Sequence, residues 1–304
     1  MFKLVRNERG SIAVVAALAF TVMLGFVAMA IDVGFLYLAR VELANMADAA
    51  ALAGVQELPA NSGRAVAVAK DYGRLNGLDT DIVEATVTDA NTTLSVTTRR
   101  TVELLFSRLF GLSTAEVSAA AAARVIPLSG AEGVVPFGVV KQNFVYGQTY
   151  QLKLGAGAGY HGNFGALALG GTGASNYEKN IKYGYSGKLE ILDWKPLLVE
   201  TESGNMSGPT ARGVNYRISL RPDETFETVT KDSPRIVIVP VINSLEGNGR
   251  HEVQIIGFAA FFLEGVGGSG KDSYVYGKFM KAVMPGDVGG YVGDYGLYGA
   301  KLIR

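Results

Sequence analysis

Cysteine is missing from this chain altogether. Disulfides, zinc ribbons, haem attachment and thiol catalysis are thereby excluded, and any part outside the reducing cytosol must be held by its core alone. Histidine is nearly missing too. His161 and His251 lie in glycine- and asparagine-rich contexts with no second histidine at ligand spacing, so neither a metal nor a cofactor is expected. Excess charge of either sign is lacking, with 28 basic residues against 28 acidic ones. A nucleic-acid binder shows a basic excess or a basic face, and that class drops out. No Gly-x-Ser-x-Gly nucleophile elbow occurs, and no catalytic residue can be named. The expectation is a non-catalytic protein.

Proline is absent before Pro59, and what fills that space is apolar. Ser11–Ala30 is an uninterrupted run of 20 residues, and Asp32 is the one charge between Ser11 and Ala39. At about 1.5 Å per residue the run measures roughly 30 Å, a bilayer's hydrocarbon thickness. Strong helix formers continue from Val41 to Ala53. One continuous helix is expected, in lipid over 11–30 and outside it over 31–58. The basic segment 1–10, with Lys3, Arg6 and Arg9, predicts a cytoplasmic N-terminus and an extracytoplasmic remainder at the cell surface. Two other readings compete with a permanent anchor. Cleavage after Gly10, before Ser11, would be pilin-type processing, although Val15 stands where prepilins carry glutamate. Ala28-Met29-Ala30 fits a signal-peptide cut, but the helical pattern runs straight through it.

Asp32 falls near the outer headgroup level, where a carboxylate is cheap, so an interfacial residue is the plain reading. Ala44–Ala53 holds six alanines in ten residues and permits close helix approach. Self-association, docking on other proteins and packing on the chain's own globular part all fit. Asp32, Asp48, Ala49, Ala50 and Ala53 are the candidate helix-packing residues. Arg9-Gly10-Ser11 before an apolar helix, Asp32 at its far end and Asp48-Ala49-Ala50-Ala51-Leu52-Ala53 together resemble the N-terminal module of the TadE/TadG-like proteins of Flp (tight-adherence) pilus assembly. The resemblance covers residues 6–58 and runs on more weakly to Ile126. It implies a lipid bilayer and sister pilus-assembly proteins as partners. Some TadG-type proteins carry a von Willebrand A domain, whose Asp-x-Ser-x-Ser motif is absent here.

Beyond the helix, the fold class expected is α+β: a small α+β unit over 61–127, then a mainly antiparallel, sandwich-like β region over 131–304. Asn61-Ser62 caps a second helix, Arg64–Asn76, with Val68, Tyr72 and Leu75 on one face and Gly77 as its stop. Period-two segments Ile82–Thr88 and Thr93–Arg100 form a hairpin. Val102, Leu104-Leu105-Phe106 and Leu109-Phe110 read as a short helix over the sheet, Ala115–Ile126 as a third strand, and Pro127-Leu128-Ser129-Gly130 as a linker. Of 39 glycines, 31 lie from Gly130 onward, marking a turn-rich architecture. Strands are expected at Val134–Val140, Thr149–Leu154, Lys188–Val199, Arg235–Val241, Glu252–Leu263, Ser273–Met284 and Gly296–Ile303. Helices are expected after a Ser175–Glu178 capping box and at Pro209–Arg217.

Three glycine- or acid-rich motifs are weighed and set aside. Gly265–Asp272 nearly spells a phosphate loop, but Asp272 replaces the needed hydroxyl and a strand follows, so a hairpin turn is expected. Gly155–Gly159 lacks a following helix. Glu200–Asn205 with Asp287 and Asp294 offers oxygens for calcium without EF-hand spacing. The 14 tyrosines fit a surface that binds glycans or partners, and fit cross-strand packing equally. A secreted glycan-binding protein is thus the second alternative, beside a filament subunit.

Overall fold

The structure, a computed structural model, describes residues 8–152, 165–204, 206–245, 249–268, 270, 273–290 and 292–303. Helix α1 (Glu8–Val55) runs 48 residues without a break, roughly 70 Å. Its two halves differ completely. Large side chains such as Ile12, Phe20, Phe26 and Met29 are largely bare, and among the described residues only the turn around Phe106 and Phe110 approaches the first half. From Ala39 the residues Leu43, Met46, Ala47, Ala50, Ala51 and Val55 are buried. Their three-to-four spacing is the stripe of a helix packed on a core.

Helix α2 (Ser62–Asn76) is capped as expected, the Asn61 side chain accepting from Arg64 N at 2.9 Å. Its buried face is not the expected one. Ala65, Ala69 and Gly73 face inward, while Tyr72 and Leu75 are exposed. The reason is distance. A Cβ on Gly54 would lie 2.6 Å from Ala65 O, and one on Gly73 2.8 Å from Val83. Only small residues admit so close a crossing.

Strands β1 (Ile82–Thr88) and β2 (Thr93–Glu103) form the expected antiparallel hairpin, Ile82 opposite Arg99. Asp89, Ala90 and Asn91 carry it round with positive φ. A 3-10 helix (Ser107–Phe110) follows, but not over the sheet. Leu109 and Phe110 are 84% and 82% exposed, and Leu104 alone of the apolar cluster 104–112 is buried. Strand β3 (Thr114–Ala131) then continues through residues 127–130. The expected linker is strand instead, because Leu128 and Gly130 pair in their turn with neighbouring chain.

The remaining elements, in order, are β4 (Val139–Val140), β5 (Thr149–Leu152), α3 (Ala174–Tyr183), β6 (Leu189–Glu190), β7 (Leu197–Glu200), α4 (Ser207–Leu220), β8 (Ile236–Ile242), β9 (Glu252–Gly267), β10 (Tyr274–Met280), β11 (Ala282–Val283), β12 (Asp287–Val288) and β13 (Leu297–Ile303). They complete an α+β fold with two sheets. One has the order β1-β2-β3-β13-β11, with β6 and β12 on the far end of β3; the other has the order β4-β8-β9-β10-β5, with β7 on β9. Among the named strands of the described residues, the pairs β4–β8 and β11–β13 are parallel and the others antiparallel.

Two expected strands are each split between the sheets. Lys188–Val199 is β6 on β3 and β7 on β9, separated by a turn closed between Leu192 and Lys195. Ser273–Met284 is β10 on β9 and β11 on β13. Of Val134–Val140, only the last two residues are strand. The box Ser175–Glu178 does not cap α3, whose N-cap is Gly173. Glu178 is drawn off by Lys182 and by Arg212 of α4, each at 2.6 Å. The central sheet is covered twice. Tyr177, Ile181 and Val214 pack on Val237, Val239, Phe261 and Phe279; Leu128, Ala131 and Leu297 pack on Ile238, Phe258 and Phe262.

Candidate functional site

The feature that sets this protein apart is the end of the bare helical half and what touches it. Asp32 lies about two turns before the buried stripe of α1 begins at Ala39 and is 3% exposed. The carboxylate is thus taken up by the chain itself and not left to solvent. The carboxylate accepts from Leu105 N at 2.9 Å and Phe106 N at 3.1 Å, and from Ser107 N and Ser107 Oγ, both at 2.7 Å. These amides open the 3-10 turn, where backbone donors have no partner of their own. A side chain 73 residues upstream therefore serves as their cap. Charged acceptors make the stronger class of hydrogen bond, so α1 and the 104–112 loop are clasped together.

Below the clasp, Phe106 and Phe110 lean toward the bare helix. With Val22, Gly25, Phe26 and Met29 they line one apolar groove. Above it, Arg100 of β2 reaches Asp81 with Nε at 2.7 Å and Nη2 at 2.8 Å, and also Glu42 of α1. The Asp81 carboxyl is held below its usual range, chiefly by the Arg100 hydrogen bond.

The other expected packing residues lie higher on α1. Ala50 is buried together with Ala47 and Ala51 against Ala65, Ala69, Leu94 and Val96 of the same chain. Asp48, Ala49 and Ala53 are half-buried. Gly10 and Ser11 fall in the first turns of α1. Ser107 and the amides of 105–107 escaped the sequence reading. The signal for them is an apolar cluster too dense for a solvated loop, the same cluster whose pattern reads as a short helix over the sheet.

Of the motifs set aside, the described residues have partners elsewhere. Gly267 pairs with Tyr274 across the β9–β10 hairpin; Ser269, Lys271 and Asp272 lie outside the described residues, as do Gly155–Gly159, His161 and Asn205. Glu202 accepts from Gly173 N, Asp287 pairs with Lys188, and Asp294 accepts from Gly296 N. Among the described residues no three metal-ligating side chains converge.

No curated protein and no solved structure matches the chain. Among the described residues one helix is long and apolar enough to cross a membrane. Over residues 10–57, which include both Asp32 and the alanine stripe, the N-terminal part of the chain matches the family described as putative Flp pilus-assembly TadE/G-like.

Proposed function

We propose that the protein is a non-catalytic, single-pass membrane protein of Flp/Tad-type pilus assembly or surface attachment. Its N-terminus lies in the cytoplasm, and its β-rich part is displayed outside on the unbroken helix. The observation that carries this reading is the bare half of α1 within the matched region: about 20 apolar residues left mostly exposed are stable only in lipid. Sister assembly proteins are the partners that the family implies.

The test is fractionation followed by protease treatment of intact cells. Retention in membranes after alkaline extraction, with the β region digested from outside, is expected. A wholly soluble protein overturns the proposal. Sequencing the mature N-terminus separates anchor from filament subunit. A start at Met1 supports a permanent anchor, and a start at Ser11 replaces it with pilin-type processing.

A further inference from the structure

We infer that the loop Leu105–Leu112 is a second membrane-inserted element, a wedge that enters the same leaflet as α1 and contacts lipid acyl chains. The inference rests on the reading that 11–30 spans the bilayer, and adds to it a part of the chain far from that helix in sequence.

Three independent observations carry it. The first is depth. Phe106 and Phe110 share a groove with Phe26 and Val22, which lie four and eight residues inside Ala30. At 1.5 Å per residue this is roughly 6 and 12 Å below the end of the span, within the hydrocarbon. The second is composition. Leu105, Leu109, Phe110 and Leu112 expose between 59% and 84% of their surface, a cluster that water would penalise and lipid would not. Arg108 is the one charge on the turn. It lies 3.6 Å from Glu103 on a stem long enough to bring its guanidinium up to the headgroups.

The third is the backbone. In lipid every peptide group needs a partner within the protein. The loop meets much of that demand on its donor side in an unusual way: Leu105, Phe106 and Ser107 donate to Asp32, Leu104 to Ser113 O, Leu109 to Phe106 O, and Gly111 and Leu112 fold back on the Arg108 and Ser107 carbonyls. In water these amides could turn to solvent instead; in hydrocarbon the carboxylate is the acceptor that replaces it.

The absence of cysteine and the single Trp194, 81% exposed, make the test direct. The full chain carrying Trp194→Phe and Phe110→Trp is reconstituted in phosphatidylcholine–phosphatidylglycerol vesicles whose acyl chains bear bromine. Loss of the reporter's emission, unchanged on dilution of protein in lipid, is expected. Emission that bromine leaves untouched overturns the inference, whether its wavelength marks water or a covering protein. So does quenching that appears only on dilution, the sign that a second copy occupies the loop. A Phe20→Trp control in the same background separates the two proposals. If it is quenched while the 110 reporter is not, the wedge alone falls; if neither is quenched, the spanning helix falls with it. Leu109→Trp repeats the measurement at a second exposed position.

Discussion

Asp32 holds three amides and a hydroxyl from 73 to 75 residues away, so its removal should be felt in the loop before anywhere else. Each hydrogen bond to a charged group contributes about 1.5–3 kcal/mol. Asp32→Ala is expected to speed amide exchange at Leu105, Phe106 and Ser107 by about 10-fold or more, while Asp32→Asn, which keeps one acceptor oxygen, loses less. Unchanged exchange in the alanine variant would refute the clasp. The pair Asp81–Arg100 gives a pH signature. A carboxyl whose folded pKa lies below its unfolded value of about 3.9 contributes stability above that value, and loses it as pH falls through the folded one. Asp81→Asn should therefore cost about 3 kcal/mol at neutral pH and flatten the decline in stability below pH ~4, readable from denaturant midpoints across pH. Little of this was legible in the sequence. Asp32 stood out by its isolation, but an acceptor's donors can lie anywhere along a chain, and backbone amides carry no residue letter at all.

At the scale of elements, helices and hairpin were readable because each is decided within a dozen residues: the Asn61 cap, the Gly77 stop, the alternation of 82–88. Faces were less so. The face Val68, Tyr72 and Leu75 is the more hydrophobic one on α2, yet Ala65, Ala69 and Gly73 win because α1 and β1 approach too closely for anything larger. Gly54→Ala tests this crossing. Alanine improves helix propensity by about 1 kcal/mol, but its Cβ would sit 2.6 Å from Ala65 O and 2.8 Å from the Ala69 methyl, with Leu94 closer still. Overpacking of about 1–3 kcal/mol is expected to win, so the urea midpoint should fall; a rise would show that the contact relaxes freely. Split strands were invisible for another reason. β6 and β7, like β10 and β11, are continuous in hydrophobic pattern, and only partner strands far along the chain decide where each must end.

At the scale of the molecule, β3 belongs to both halves of the fold, and β13 returns from the far end of the sequence to pair with it from Ile303–Ala122 to Tyr298–Pro127. The hairpin region and the β region should therefore unfold together. Calorimetry is expected to show one transition for the part beyond the lipid, and two separable transitions would overturn that expectation. Truncation after Gly296 removes the strand between β3 and β11 and should leave a protein that proteases cut readily near 122–127. The break in α1 that would make the outer part a swinging appendage does not exist: the same rod leaves the bare half and enters the core at Leu43 with neither proline nor loop between. A body hung from a hinge averages over all orientations and feels a pull only along its tether. A body welded to its mast, and latched a second time at Asp32, keeps one heading relative to that rod, so that, with 11–30 in lipid as proposed, a sideways push on its outer face arrives at the bilayer as torque.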